Sequence, residues 1–320
     1  MDNSPLRRTD KGSTLLMKRI ACVACLDPKF SVHAHTFLRA VVLARHGQLV
    51  KEAQIRLFDD GGSREGALRA AREIAAWGAD AVVGHYVSSA AAAAAPEYAR
   101  RGVPLFLPAA TASHLTRNET TWRLCDSDAD YVAWLKERVT QAQWQVATPE
   151  HDGSLHGISV SEQLAAALPI TPYGPTRIFS GRYAASVRYA IRWAHIELPG
   201  RLILTDDAGS PALVPDLLAH GIDPNQHEIL IAGISPHPAG EIAHVVRQTW
   251  QRRWGGEPGA YLWETLAAIQ TAAAFPHIPA QTVLGPLRFD ARRESRPSHF
   301  RLWQVTRQGF IAYQPVPETI

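Results

Sequence analysis

Short apolar runs alternate with longer amphipathic segments along most of the chain. In the first part, four runs have the length of buried strands: 20–26, 53–58, 79–83 and 103–107. The segments between them, at 36–45, 67–77 and 88–100, carry apolar residues at helical spacing. This alternation predicts βαβ units, in which helices cover a mostly parallel sheet.

A second set of elements follows residue 121. Strands are predicted at 143–148, 201–205 and 228–234. Helices are predicted at 129–141, 159–168, 184–196, 211–220, 239–254 and 260–275. A chain of 320 residues is long for a single compact domain, so two lobes are expected.

The composition is that of an ordinary globular protein, with 46% hydrophobic and 20% charged residues. The net charge is +3 and acidic and basic residues are interleaved, so the chain lacks the basic stripe of a nucleic-acid-binding protein. No stretch approaches the roughly 20 apolar residues that span a bilayer. We therefore expect neither nucleic acid as a partner nor insertion into a membrane.

The apolar run at 20–26 is at the lower limit for the core of a secretion signal, and Asp27, Pro28 and Lys29 follow it. We interpret the run as a buried strand and expect a cytoplasmic location, or a periplasmic one if the true start lies elsewhere. Cys22 and Cys25 form a C-x-x-C pattern. Because a strand directs positions i and i+3 to opposite faces, we expect two buried thiols rather than a redox or metal site.

Two loops have the composition of an anion site. Ser88 and Ser89 follow a predicted strand and open a helix, where free N–H groups and the helix dipole favour negative charge. The loop at 108–113, after the next strand, adds small residues and Thr111. In open α/β sheets ligands bind at the carboxyl ends of strands. The alternative for Ser88 is a plain helix N-cap.

Five segments in order resemble one known family: GADAVVGHYVSS at 78–89, HDGSLHG at 151–157, LTDDAGSP at 204–211, WGGEPGAY at 254–261 and TVLGPLRFD at 282–290. They resemble the leucine/isoleucine/valine-binding proteins, which are type I periplasmic binding proteins and substrate-binding components of ABC transporters. The resemblance spans residues 18–313. It implies two Rossmann-like lobes with parallel sheets flanked by helices, three crossovers between the lobes, and a ligand in the cleft.

The resemblance also implies a division of the chain. Residues 1–17 lie before the resemblance begins, and we expect a disordered leader there because residues 1–16 are polar and charged and show no periodicity. The first lobe comprises 18–121 and 239–281, and the second comprises 122–238 and 282–320.

Individual positions match the ligand contacts of the family. Ser88, Ala110 and Thr111 match residues that hold the ligand α-carboxylate, and Ser89 lies beside them. His33 falls near an aromatic lid position, and His156 stands where the family commonly has tyrosine. Because both histidines are polar and titratable, we expect a ligand more polar than an aliphatic amino acid.

Two pairs of acids have alternative interpretations. Asp206 and Asp207 lie in the second-lobe loop that helps recognise the ligand in the family, but they could equally cap a helix that begins at Pro211. Asp126 and Asp128 lack the spacing of a calcium loop, and one of them is expected to cap the helix at 129–141. No metal-binding spacing, nucleophile elbow or phosphate loop occurs, so we expect no metal, cofactor or enzymatic activity.

Three functions are compatible with these features. The first is a ligand-capture protein related to branched-chain amino-acid ABC transport, with an amino acid or amide as ligand and a permease as partner. The second is a cytoplasmic sensor like the amide-responsive regulators of the family, with a regulatory protein as partner. The third is an enzyme in which His33, His156, Asp206 and Asp207 supply acid and base groups.

Overall fold

The computed structural model describes residues 17–46, 49–50, 53–196, 200–234, 238–279, 281–295 and 300–314, without the side chains of Asp206 and Ile234. Residues 1–16 of the predicted leader lie outside this description. The described residues form two β-sheets, each flanked by helices.

The first sheet contains five strands in the order β2-β1-β3-β4-β5, and every neighbouring pair is parallel. Its elements in chain order are β1 (Lys18–Ala24), α1 (Ala34–His46), β2 (Ala53–Asp59), α2 (Arg64–Trp77), β3 (Ala81–Gly84), α3 (Ser88–Ala99), β4 (Leu105–Leu107) and β5 (Thr121–Arg123). The predicted βαβ pattern of the first half is therefore confirmed. This sheet and its helices form the first lobe.

The second sheet has the order β11-β10-β9-β8-β7-β6. Its elements are α4 (Asp128–Gln141), β6 (Glu150–His151), α5 (Leu155–Ala167), β7 (Thr176–Ser180), α6 (Tyr183–His195), β8 (Arg201–Leu204), α7 (Leu213–Ala219), β9 (Glu228–Ile234), then β10 (Phe300–Thr306) and β11 (Gly309–Ala312). The strands β6 to β9 pair in parallel, whereas β10 and β11 add an antiparallel edge. Together these elements form the second lobe.

Two later helices return to the first lobe. They are α8 (Glu241–Trp254) and α9 (Leu262–Ala274), and Trp250 and Ile269 are buried in the same core as Ile20 of β1. The chain then stays with this lobe longer than the sequence division at 282 implies. Val283 is buried in the first core and Leu287 packs against it, because their apolar side chains find a partner surface there. The chain joins the second sheet only at β10.

Several elements of the second lobe differ from the sequence prediction. The predicted strand at 143–148 is reduced to isolated bridges from Val146 to Ile170 and Thr176. The strands β7, β10 and β11 were not predicted, because polar residues interrupt the apolar positions of β7 and β10, and β11 has only four residues. Such short alternating segments carry a weaker signal than a continuous apolar run.

The thiols of Cys22 and Cys25 are buried and unbridged. Cys22 lies in β1, which pairs with a strand on each side, and burial raises the pKa of its thiol far above the ordinary value. This environment agrees with the predicted buried thiols. In the described part of the chain, no helix combines the length and apolar composition that crossing a membrane requires.

Candidate functional site

Contacts between the two lobes converge on the residues that the sequence singles out. His33 and Thr111 belong to the first lobe, and His156 and Asp207 belong to the second. Two side-chain contacts join them across the cleft: His33 with Asp207, and Thr111 with His156. The cleft therefore has polar groups on both walls.

Ser88 occupies the first position of α3 and is 7% exposed. The N-cap of α3 is Val87, which makes no side-chain capping hydrogen bond, so the plain N-cap interpretation of Ser88 is wrong. Ser88 Oγ instead accepts a hydrogen bond of 3.3 Å from the backbone N–H of Ala112. This bond joins the start of α3 to the loop after β4, which carries Thr111.

Arg123 forms hydrogen bonds with the backbone of the same loop. Its guanidinium donates to the carbonyl oxygens of Ala110, at 3.0 Å, and Ala112, at 2.8 Å, on either side of Thr111. The guanidinium is completely buried and pairs with Glu294. Sequence reasoning missed this role, although an arginine inside the apolar run Trp122–Cys125 was the available signal. Ala110, a predicted ligand contact, has a buried side chain. Its carbonyl oxygen accepts the hydrogen bond from Arg123.

His156 joins Thr111 to a buried carboxylate. Its Nδ1 lies 3.1 Å from Thr111 Oγ1 and 2.9 Å from Asp128 Oδ1. Burial alone would raise the pKa of Asp128, but the hydrogen bond and charge of His156, with further hydrogen bonds, hold it below its ordinary value. The predicted capping role of Asp126 or Asp128 is wrong, because Ser127 caps α4 in a capping box with Asp130.

The second contact across the cleft lies between His33 Nε2 and Asp207 Oδ1, which are 3.4 Å apart. The His33 ring also packs near Tyr86 and Tyr261, with ring centroids 6.0 and 5.2 Å away. Asp207 does not cap the following helix, because α7 begins after Ala212 without a side-chain cap. The side chain of Asp206 lies outside the described part of the structure.

A small cavity lies between the lobes beside these contacts. Its lining includes Thr111, Asp126, Asp128, His156 and Tyr261, and it contains no lysine or arginine. Its volume is about 10 Å³, which is room for roughly one water molecule. An amino acid is larger than this, so a ligand of that size enters only when the lobes separate.

Glu264 on α9 adds a further buried carboxyl near this cavity. Glu264 is 3% exposed, and burial, followed by the charge of Asp126, raises its pKa to about 7. In the residues that the structure describes, no cluster of histidine, cysteine and carboxylate groups has the arrangement of a metal site. The hydroxyl and imidazole groups of the cleft can form hydrogen bonds with a polar ligand, and its carboxylates attract positive charge.

Solved structures of binding proteins share this architecture. A leucine-binding protein from Thermotoga maritima superposes with a TM-score of 0.80 at 14% identity, covering 93% of this chain and 98% of that one. A branched-chain amino acid transporter substrate-binding protein from Streptococcus pneumoniae, in complex with isoleucine, gives 0.75 at 14% identity and covers 92% and 98%. An ABC transporter solute-binding protein from R. palustris, in complex with benzoate, gives 0.71 at 12% identity and covers 92% and 94%.

The sequence alone is far from these proteins. No family model matches the chain, and the search of curated proteins gives no match. The similarity therefore lies in the arrangement of strands and helices, and it extends over nearly the whole length of both chains. The chain has the two-lobed fold of the type I periplasmic binding proteins, as its resemblance to the leucine/isoleucine/valine-binding proteins implies.

Proposed function

We propose that this chain captures a small, polar, amino-acid-like ligand with a carboxylate group between its lobes, as a component related to branched-chain amino-acid ABC transport. The observation that carries the proposal is the convergence of His33, Thr111, His156 and Asp207 at contacts that cross the cleft. A ligand seated there touches both lobes at once and therefore favours their closure. The structurally similar proteins include a leucine-binding protein and complexes with isoleucine and with benzoate, and this supports a small carboxylate-bearing ligand.

The ligand carboxylate is assigned to the first lobe. The start of α3 has no side-chain cap, so the positive end of its dipole faces the loop that carries Thr111. The Ser88 hydroxyl accepts from Ala112, and its own proton stays available for an anion. Ser88 and Thr111 then hold the carboxylate by charge-assisted hydrogen bonds.

The ligand ammonium is assigned to the second lobe, where the Asp207 carboxylate lies 3.4 Å from His33. An amino acid bound in this way bridges the lobes with its two charges. The histidines at 33 and 156 place imidazole groups beside the ligand, and this favours a side chain with hydrogen-bonding capacity over a purely aliphatic one.

The expected partner depends on this proposal, whereas the compartment is a separate prediction from the sequence. A permease is the expected partner if the protein delivers its ligand for transport. The cytoplasmic location stays a prediction, which cell fractionation tests: a shortened form recovered from the periplasm would contradict it.

A thermal-shift screen of the full chain with amino acids, short amides and small carboxylates tests the proposal. A ligand that binds only the folded protein at 100 times its Kd stabilises it by about 2.7 kcal/mol. We expect at least one amino acid or amide to raise the Tm and its binding to be confirmed by calorimetry. The control is Thr111→Val, which removes the hydroxyl at the cleft with little change in volume. An equal shift in wild type and Thr111→Val, or no shift with any compound, would contradict the proposed site.

A further inference from the structure

A second concave surface lies on the second lobe, outside the contacts that define the cleft. It runs between the later turns of α4, the turn that follows it, and the β10–β11 hairpin, and its volume is about 440 Å³. Ligand pockets commonly measure roughly 300–1,000 Å³, so this groove is large enough for a small molecule.

The walls of the groove are aromatic. Trp134 of α4 packs against Phe300 of β10, with ring centroids 5.2 Å apart, and Trp144 meets Tyr313 at 5.9 Å. All four rings are only half-buried, although each packs against the second-lobe core. Partly exposed rings from separate elements offer flat faces on which another ring can stack.

The charge on the groove is positive. Arg138 and Arg301 line it and are exposed, and no aspartate or glutamate is among its lining residues. Arg138 donates to the amide oxygen of Gln141, and within the described ranges neither arginine pairs with an acid. The guanidinium of Arg201 stacks on Trp144 at 3.9 Å but is paired with Glu228. Among the residues that the structure describes, Arg138 and Arg301 are therefore the arginines of the groove lining that no acid pairs with.

We propose that this groove is a second binding site, and that it takes a planar aromatic compound with one anionic group. The aromatic walls recognise the ring, and the planar guanidinium groups recognise a carboxylate or phosphate. Phe300 also lines the cavity between the lobes, so the groove and the cleft share one side chain as a wall. The site is separate from the proposed amino-acid cleft and does not depend on it.

Calorimetric titration of the full chain with adenosine 5′-monophosphate and with benzoate tests this site. The first probe carries a phosphate and the second a carboxylate. We expect saturable binding of at least one probe, quenching of tryptophan fluorescence on binding, and weaker binding as salt rises to 0.5 M, since exposed charges are screened. Binding of only one probe identifies the preferred anion.

Variants decide whether the bound probe lies in the groove. The double variant Arg138→Gln and Arg301→Gln should weaken binding at least tenfold without a loss of Tm, because both residues are exposed. The matched control is Arg188→Gln, an exposed arginine on α6 outside the groove lining, which should bind as wild type does. Absence of binding by both probes at millimolar concentration overturns the proposal. Equal binding by the double variant and wild type also overturns it, because the probe then lies elsewhere, for instance in the cleft.

Discussion

Arg123 Nε lies 2.9 Å from Glu294 Oε2, and the two side chains are 0% and 7% exposed. Arg123 ends β5, the last strand of the first sheet, and Glu294 lies on the segment that leads to β10. Backbone hydrogen bonds from Arg123 to Arg293 and from Ser295 to Arg123 join the same two segments. The ion pair and the backbone hydrogen bonds thus join two of the connections between the lobes, next to the loop that carries Thr111.

Removing Glu294 should therefore destabilise the protein strongly. In Glu294→Ala the Arg123 charge stays buried without its counter-ion, and breaking a buried pair in this way typically costs about 3–5 kcal/mol. Thr116, whose hydroxyl donates to Glu294 at 2.6 Å, also loses its partner. Urea denaturation of the variant and wild type measures the difference in the free energy of unfolding.

The exposed pair of Arg247 and Glu257 provides the control, because its side chains are 41% and 45% exposed. Exposed pairs contribute about 0–1 kcal/mol, so Glu257→Gln should have a small effect. If the two substitutions have equal effects, the Arg123 pair does not have the structural importance assigned to it.

The buried carboxyl of Glu264 predicts a dependence of stability on pH. Its pKa in the folded protein is about 7 because of burial and the charge of Asp126, whereas an unfolded glutamate has a pKa of about 4.3. Between these values the folded state holds a proton that the unfolded state releases. The contribution of Glu264 to stability therefore falls as pH rises from about 4 to 7, by roughly 3 to 4 kcal/mol in total.

Glu264→Gln should remove this loss of stability at higher pH, since an amide does not ionise. Urea denaturation at pH 5 and pH 8 should show that the variant gains stability relative to wild type at the higher pH. Glu119→Gln, at an exposed position, should leave the difference between the two pH values unchanged. A Glu264→Gln effect of the same size at both pH values would contradict a buried, protonated Glu264.

The sequence predicted the parts of this molecule that depend on local pattern. Ser88 and Thr111 were placed correctly at the ends of adjacent strands because the apolar runs before them are continuous. The partners of His156 and Arg123 were not predicted. The contact of His156 with Asp128 depends on how α4 and α5 pack, and that of Arg123 with Glu294 joins segments far apart in sequence. No local periodicity encodes such contacts.

The wrong prediction of the N-cap of α4 also has a physical reason. Asp128 and Ser127 are both good N-cap residues, and the sequence does not state which one adopts the extended backbone of a cap. In the structure Ser127 takes that conformation, and this leaves the carboxylate of Asp128 for His156.

The proposed carboxylate site predicts the effect of Ser88→Ala. A hydrogen bond to a charged group contributes about 1.5–3 kcal/mol, so the variant should bind the amino acid identified by the thermal screen roughly 10- to 150-fold more weakly. Ser113→Ala, at an exposed position in the neighbouring loop, is the control and should bind normally. Calorimetry measures both affinities. Unchanged affinity in a folded Ser88→Ala protein would count against the assignment.

The last prediction concerns Asp207, which faces His33 across the cleft at 3.4 Å and is 26% exposed. If Asp207 pairs with the ligand ammonium, wild type should prefer an amino acid over the same compound without its amine. Asp207→Asn keeps the shape of the side chain but loses its charge. The ratio of the two affinities should therefore fall at least tenfold, since a charge-assisted hydrogen bond becomes a neutral one.

The two ligands must be compared within each variant, because a general weakening of lobe closure lowers both affinities and leaves their ratio unchanged. Asp223→Asn, in the second lobe but paired with Arg307 away from the cleft contacts, should keep the wild-type ratio. His33→Ala tests whether the contact with His33, rather than the charge of Asp207, sets the preference. This substitution removes the partner of Asp207 and keeps the charge, so the preference for the amine should persist. If Asp207→Asn also retains that preference, the second lobe recognises its ligand through other groups, and the assignment of the ammonium to Asp207 is wrong.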